Sequence, residues 1–209
     1  MFARLLLLVA STGGCTMAAG ARVGGGVARS TKPQALTSPI GEGTSMADAS
    51  NSQEWVELEL SGGYRYARGI LVLGGGVSHT RFRRTDGTAF PIYAMDDNFQ
   101  ARAGGGLSLV SPTFYGFRVA PYLLYSSNFG TLYNGADSTR EYGLDLEWAR
   151  PISGRTESVF VVGAALITET GNADAELGGF GSQDGEFTVE GAMITFGWHL
   201  GLDFSKEDN

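Results

Sequence analysis

The sequence predicts an all-β protein: an antiparallel, up-and-down transmembrane β-barrel of eight strands, preceded by a signal peptide and a disordered linker. Three observations predict it. In the final strand Ile194, Phe196, Trp198, Leu200, Leu202 and Phe204 fall on one face, and Thr195, Gly197, His199, Gly201 and Asp203 on the other, because successive side chains of a strand point to opposite sides. The same alternation recurs upstream in segments of roughly 9–11 residues, the length a tilted strand needs to cross a bilayer. Short and long connections alternate between the segments, as they do in barrels with tight turns at one rim and loops at the other.

Composition narrows the function classes. The chain has 209 residues, 32 of them glycine, and a formal net charge of −7. That charge argues against nucleic acid as a partner, which needs basic patches. It leaves membrane insertion open, because charges on loops or inside a barrel do not touch lipid. No apolar run reaches the ~18 residues a spanning helix requires, and mean hydropathy is near zero. A barrel hides at such values because its apolar residues are interleaved with polar ones.

Residues 1–20 read as a signal peptide: a cationic start at Met1 to Arg4, an apolar core at Leu5 to Ala10, then small residues. Two cleavage sites compete. Cutting after Gly20 satisfies the small-x-small rule through Ala18. Cutting before Cys15 uses Thr12 to Cys15, where Gly13-Gly14-Cys15 is similar to the end of a bacterial lipobox, with Thr12 in place of the usual Leu. Cys15 is the single cysteine, so it is a candidate lipidation site and no intrachain disulfide can form. Residues 21–54 hold no aromatic side chain, are rich in small residues and carry Pro33 and Pro39. By composition they cannot bury enough apolar surface to offset their ordering entropy, which predicts a disordered linker.

The barrel is expected over 55–205, with 206–209 as a tail. Val56, Leu58, Leu60, Gly62, Tyr64 and Tyr66 share a face against Glu57, Glu59 and Arg65. A turn at Ala67 to Gly69 leads into Ile70 to Phe82, where both faces are apolar or glycine before a polar end. After the polar connection Arg83 to Asn98, Phe99, Ala101, Ala103, Leu107 and Leu109 oppose Gln100, Arg102 and Ser108. A turn at Ser111 to Thr113 follows. Tyr115, Phe117, Val119, Leu123 and Tyr125 then oppose Arg118, Ala120 and Tyr122, with Pro121 marking an edge or a bulge. Beyond the connection Ser126 to Thr139, Tyr142, Leu144, Leu146 and Trp148 oppose Glu141, Asp145 and Glu147. The turn Arg150 to Thr156 precedes Ser158 to Thr168, in which Phe160, Val162, Ala164 and Leu166 are the bulkier set. A long polar loop is expected over Glu169 to Gly185, and the last strand begins near Glu186.

Aromatic residues gather at both ends of these segments, as girdles at two membrane interfaces would. A soluble β-sandwich alternates too, but it needs no outer apolar band with aromatic rims. The count does not close: seven segments are clear, bacterial single-chain barrels have even numbers, and the eighth strand has no evident place. Leu36 to Asn51 is a poor candidate, and a strand near Ala175 to Ser182 would invert the assignment of turns and loops.

The inward faces carry Glu57, Glu59, Arg65, Arg102, Arg118, Glu141, Asp145, Glu147, His199 and Asp203. Eight strands enclose a space just wide enough for side chains, and buried charges must pair. These ten residues therefore predict a salt-bridged polar plug, and an ion or proton path along the carboxylates is the sharper alternative. His79 and His199 have no companion at ligand spacing, so no metal site is expected, and no cofactor.

Alternation, turn spacing and a last strand ending on Phe204 resemble the small bacterial outer-membrane barrels of the OmpA-like and OmpX-like superfamily. The resemblance covers about Trp55 to Phe204 and implies a Gram-negative cell envelope, an outer-membrane location and contact with outer-membrane lipid. Its members include structural anchors, surface factors and a few enzymes, so fold does not give function. Tyr125-Ser126-Ser127-Asn128-Phe129-Gly130 is similar to the His-x-Ser-Asn-x-Gly run of outer-membrane lipid A deacylases, but Tyr125 stands where the catalytic base should be. The expected function is a non-enzymatic barrel with a structural or surface-interaction role. The alternatives are a barrel subunit of a trans-envelope machine, with periplasmic or outer-membrane protein partners, and a lipid-modifying enzyme.

Overall fold

A computed structural model describes residues 15–37, 44–64, 66–85, 95–130, 136–177 and 181–204. It contains nine antiparallel strands: β1 (Cys15–Arg29), β2 (Gln34–Thr37), β3 (Thr44–Tyr64), β4 (Ala67–Arg84), β5 (Met95–Leu109), β6 (Phe117–Gly130), β7 (Ala136–Ser153), β8 (Thr156–Leu177) and β9 (Gly181–Asp203). From β3 onward each strand pairs with the next, and β1 closes the ring by pairing with both β3 and β9. β2 continues the place of β1 between the same two neighbours, so the ring has eight strand positions. Ser30 to Pro33 separate the two pieces. These four residues face only Asp48 and Ala49 on β3, a bulge in which Ser30 Oγ accepts the Ala49 N–H at 2.9 Å.

The eighth strand is therefore β1, inside the stretch whose composition predicts leader and linker. Residues 21–54 are not a disordered linker: they hold most of β1, all of β2 and the first half of β3. Composition misleads here because β1 does not bury its own bulk. Its outward residues include Ala19, Ala21 and Gly25, while Leu58 and Leu60 on β3 and Trp198 and Leu200 on β9 flank them. Two ladders hold its backbone, which satisfies the polar groups whatever the side chains are.

Cutting after Gly20 would remove Cys15 to Gly20, which pair with Tyr64 to Glu59 on one side and, from Thr16 onward, with Asp203 to His199 on the other. The mature N-terminus is expected at or before Cys15. Sequencing the N-terminus of the folded protein checks this, and a folded barrel beginning at Ala21 would contradict it.

The register fixes the shape. From Thr16 the paired residues run through Gly63, Arg68, Ser108, Tyr122, Gly143, Ala165 and Met193 and return to β1 at Gly26, ten residues further along. A ten-residue stagger over eight strands goes with a tilt of about 40° and an interior only wide enough for side chains. Ten residues at that tilt are about 25 Å of height, so each step across a strand climbs about 3 Å.

Several connections are tighter than the sequence predicts. β4 already begins at Ala67, so the turn there is shorter than Ala67 to Gly69. Tyr115 and Gly116, not Ser111 to Thr113, make the β5–β6 turn: both have positive φ, 51° and 85°, and Phe114 and Phe117 exchange backbone hydrogen bonds around them. Positive φ at both central positions is the hairpin geometry that matches strand twist. Glu169 to Gly185 is not a long loop. β8 and β9 stay paired up to Leu177 and Gly181, and the turns and loops keep their predicted rims. The tail 206–209 and the leader up to residue 14 lie outside the described residues.

Pro121 interrupts one ladder without breaking the ring. Val119, of the same parity, turns its N–H and C=O toward Ser111. Pro121 therefore directs its missing donor toward β5, beyond the last β5–β6 pair at Ser108 and Tyr122, while pairing with β7 continues through it. Ser108 Oγ donates to the Pro121 carbonyl at 3.2 Å.

The wall has two chemically opposite faces. Through the middle of the wall the outward residues of β3 to β9 are mostly apolar and exposed, among them Leu58, Leu73, Leu107, Leu123, Leu144, Val162, Phe196 and Leu200. The inner face buries Glu57, Glu141 and Glu169 almost completely. Inward glycines make room for large side chains: a Cβ on Gly24 would meet the Trp55 ring, and one on Gly143 would meet Tyr122.

Candidate functional site in the barrel interior

Parity decides which charged residues converge. Arg22 on β1, Glu57 and Glu59 on β3, Arg68 on β4, Arg102 on β5, Arg118 on β6, Glu141, Asp145 and Glu147 on β7, Glu157 and Glu169 on β8 and His199 on β9 all face inward. They form a ladder along the barrel axis.

At the short-turn end Arg118 bridges Glu147 at 3.0 Å and Glu157 at 2.8 Å, and Arg68 pairs with the other oxygen of Glu147. In the middle Arg22 joins Glu59, at 3.2 Å, to Asp145, and its guanidinium lies 5.2 Å from the centre of the Tyr122 ring. His199 Nε2 is 3.7 Å from Glu59. Nearer the long-loop end Arg102 pairs with Glu141, lies 3.9 Å from Glu57 and donates to Ser126 Oγ at 2.9 Å. Its guanidinium sits over Trp55 at 4.9 Å. Above it Asn51 and Gln53 both donate to Glu169.

Of the ten predicted residues, Glu57, Glu59, Arg102, Glu141, Asp145, Glu147 and His199 are buried inside, and Arg118 is half-buried among them. Asp203 is half-buried at the short-turn end. Arg65 lies outside the described residues. Sequence reasoning missed Arg22, because it was placed in the linker, and Arg68, because it was placed in a turn. It also missed Glu157, at the edge of a turn, and Glu169, in an expected loop. The signal that finds Arg22 is phase: an arginine between two inward glycines, Gly20 and Gly24, with Ala21 and Val23 outward. Asn51 and Gln53 are found by extending the Glu57 and Glu59 phase two and three steps upstream.

Among the described residues seven carboxylates, Glu57, Glu59, Glu141, Asp145, Glu147, Glu157 and Glu169, face four guanidinium groups, Arg22, Arg68, Arg102 and Arg118. Arg22, Arg102 and Arg118 each serve two carboxylates, and Arg68 shares Glu147 with Arg118. A cavity of about 480 Å3 opens beneath the ladder at the short-turn end, lined among others by Arg68, Arg118, Glu157, His199 and Asp203. Among the described residues no group of His, Cys, Asp and Glu is placed to hold a metal ion. The run resembling a deacylase motif is split by parity. Ser126 faces inward and is held by Arg102, while Ser127 belongs to the outward phase, on the opposite side of the wall from His199.

No protein-family model matches the chain, and no curated protein matches it. Among solved structures, the outer membrane protein OprG from Pseudomonas aeruginosa superposes with a TM-score of 0.54 at 11% identity, covering 90% of this chain and 96% of that one. The translocator domain of the autotransporter NalP from Neisseria meningitidis gives a TM-score of 0.22 at 12% identity, over 97% and 94%. The likeness to OprG is one of fold: eight antiparallel up-and-down strands in a closed ring.

Proposed function

We propose that this chain is a non-enzymatic barrel of a bacterial outer membrane, with a structural or surface-interaction role and an interior closed by its own ion pairs. The observation that carries the reading is the opposition of the two faces: an exposed apolar outer wall around a ladder of seven inward carboxylates, six of them buried, and four arginines. A soluble protein would place those faces the other way round. β7 sets the height of the apolar band. Its outward residues Tyr142, Leu144, Leu146 and Trp148 lie between outward Arg140 and Arg150, ten residues apart, which at this tilt is about 25 Å, the thickness of a barrel's lipid-facing belt.

Fractionation with a heat-modifiability gel tests the location and the barrel together. The protein is expected in the outer-membrane fraction, migrating faster unheated than boiled; release by a mild wash as a soluble protein would end the reading. In planar bilayers the folded protein is expected to give no stable conductance. Open channels would favour the ion path along the carboxylates.

The alternative of a subunit in a trans-envelope machine predicts stoichiometric partners on purification in mild detergent. Cys15 stands at the first position of β1 with its side chain buried, so a cut before it leaves the ring whole, and lipidation requires its thiol to turn out of the wall. Labelled fatty acid should then be incorporated by the wild type and not by Cys15→Ser.

A further inference from the structure

We infer that Arg150, with Ser158 beside it, binds the phosphate of a membrane glycerophospholipid at the short-turn rim of the outer wall. The inference rests on the membrane reading above and adds a specific lipid site to it.

Among the described residues Arg150 is the only charged side chain that the strands turn outward on the short-turn half of the wall; every other outward position there is apolar, small, Tyr, Thr or Ser. The neighbouring arginines Arg68 and Arg118 point inward and are held by Glu147. Arg150 pairs with no carboxylate among the described residues. Its guanidinium lies 5.3 Å from the centre of the Trp148 ring, two residues further into the apolar band. A cation over an aromatic face is held in place without losing its hydrogen-bonding edge. Five N–H donors are therefore set at the boundary of a lipid-facing surface, where the anion at hand is a lipid phosphate. Guanidinium and phosphate match as a two-pronged, charge-assisted pair.

The neighbours continue the site. Ser158 is the cross-strand partner of Arg150, also outward. Its Oγ accepts the Trp198 indole N–H at 2.8 Å, which leaves the serine proton for an acceptor on the lipid. Trp148, Phe160 and Trp198 are paired across β7, β8 and β9. Because each strand crossed climbs about 3 Å, these rings form an oblique apolar ramp rising from Arg150 into the band. A headgroup held by Arg150 would thus lay its acyl chains against rings, with Ser158 at the level of the glycerol.

The test uses the full chain, folded in a nonionic detergent, with binding counted by native mass spectrometry. The probes are phosphatidylglycerol, diacylglycerol, which lacks the phosphate, and inorganic phosphate as a competitor. The wild type should take up one phosphatidylglycerol at least fivefold more tightly than Arg150→Gln, with Arg150→Lys between them and diacylglycerol as weak as the glutamine variant. Equal binding by wild type and Arg150→Gln would overturn the inference. So would competition by millimolar inorganic phosphate, which would mark a free-anion site, or equal binding of diacylglycerol, which would mark a purely apolar groove. Heat-modifiability of each variant separates the two layers. A folded Arg150→Gln barrel with unchanged lipid binding refutes only the site, whereas a wild type that folds without detergent and shows no heat shift refutes the membrane reading beneath it.

Discussion

Trp198→Arg should cost the folded barrel roughly 2–4 kcal/mol, the penalty for arginine near the middle of a barrel's lipid face. The depth follows from the register. Trp148 stands two residues above Arg150, about 5 Å of height on a tilted strand, and crossing two strands to Trp198 adds about 6 Å. Trp198 therefore sits near the middle of a band about 25 Å tall. Arginine there would lose the hydrogen bond to Ser158 and place a charge among Phe160, Phe196 and Leu200. His199→Arg, one residue on, should cost much less. It would add a cation to an interior where carboxylates outnumber arginines, beside Glu59 and the short-turn cavity. Leu200→Arg and Leu202→Arg should fall between, with the smaller effect at Leu202, nearer the rim. Urea unfolding from liposomes measures the series. Damage by His199→Arg with tolerance of Trp198→Arg would reverse the faces, since a one-residue slip exchanges them.

Arg102→Ala should be the most damaging change inside the barrel, by about 3–5 kcal/mol. Arg102 is the cation facing Glu57 and Glu141, which are 1% and 0% exposed. Removing it leaves both carboxylates buried without a counter-charge and strips the cation from the face of Trp55. Removing carboxylates instead is the milder perturbation, because the interior holds more of them than arginines. Glu57→Gln should fold nearly as well as the wild type, and Arg102→Met combined with Glu57→Gln and Glu141→Gln should recover most of the loss, as uncharged replacements of buried ion pairs often do. If Arg102→Ala unfolds at the same urea concentration as the wild type, water must be reaching this part of the ladder, and the interior is not closed.

The outer wall was legible because its signal is local. Alternation in Tyr142 to Trp148 or Ile194 to Leu202 needs only neighbouring residues, and these positions face outward as expected. Most of the polar interior followed from the same phase. What could not be read is what depends on partners far along the chain. β1 is a strand because β3 and β9 complete it, and nothing in Gly24-Gly25-Gly26 declares that. Glycine is suited there because Trp55 from β3 fills the space beside Gly24. Glu169 looked like a loop residue because the polar stretch after it resembles one, whereas its pairing with β9 carries the sheet past it. Tyr115 looked like the start of a strand, yet it carries the positive φ of a turn, a conformation its residue type does not advertise.

The closure by β1 also bears on how the ring assembles. From β3 to β9 each strand meets its successor in a hairpin, so those ladders join segments close in sequence. The β1–β9 ladder is different, running from Thr16 with Asp203 to Arg29 with Glu190. Bringing such distant segments together costs roughly 5 kcal/mol of chain entropy for a loop of this length, a cost the local hairpins largely avoid. This seam raises the mean sequence separation of native contacts, which slows folding in general. Until it forms, β9 exposes an unpaired edge beside apolar Phe196 and Trp198, a template for joining another chain. The strand with the least side-chain bulk is thus the one whose arrival removes the sheet's last free edge.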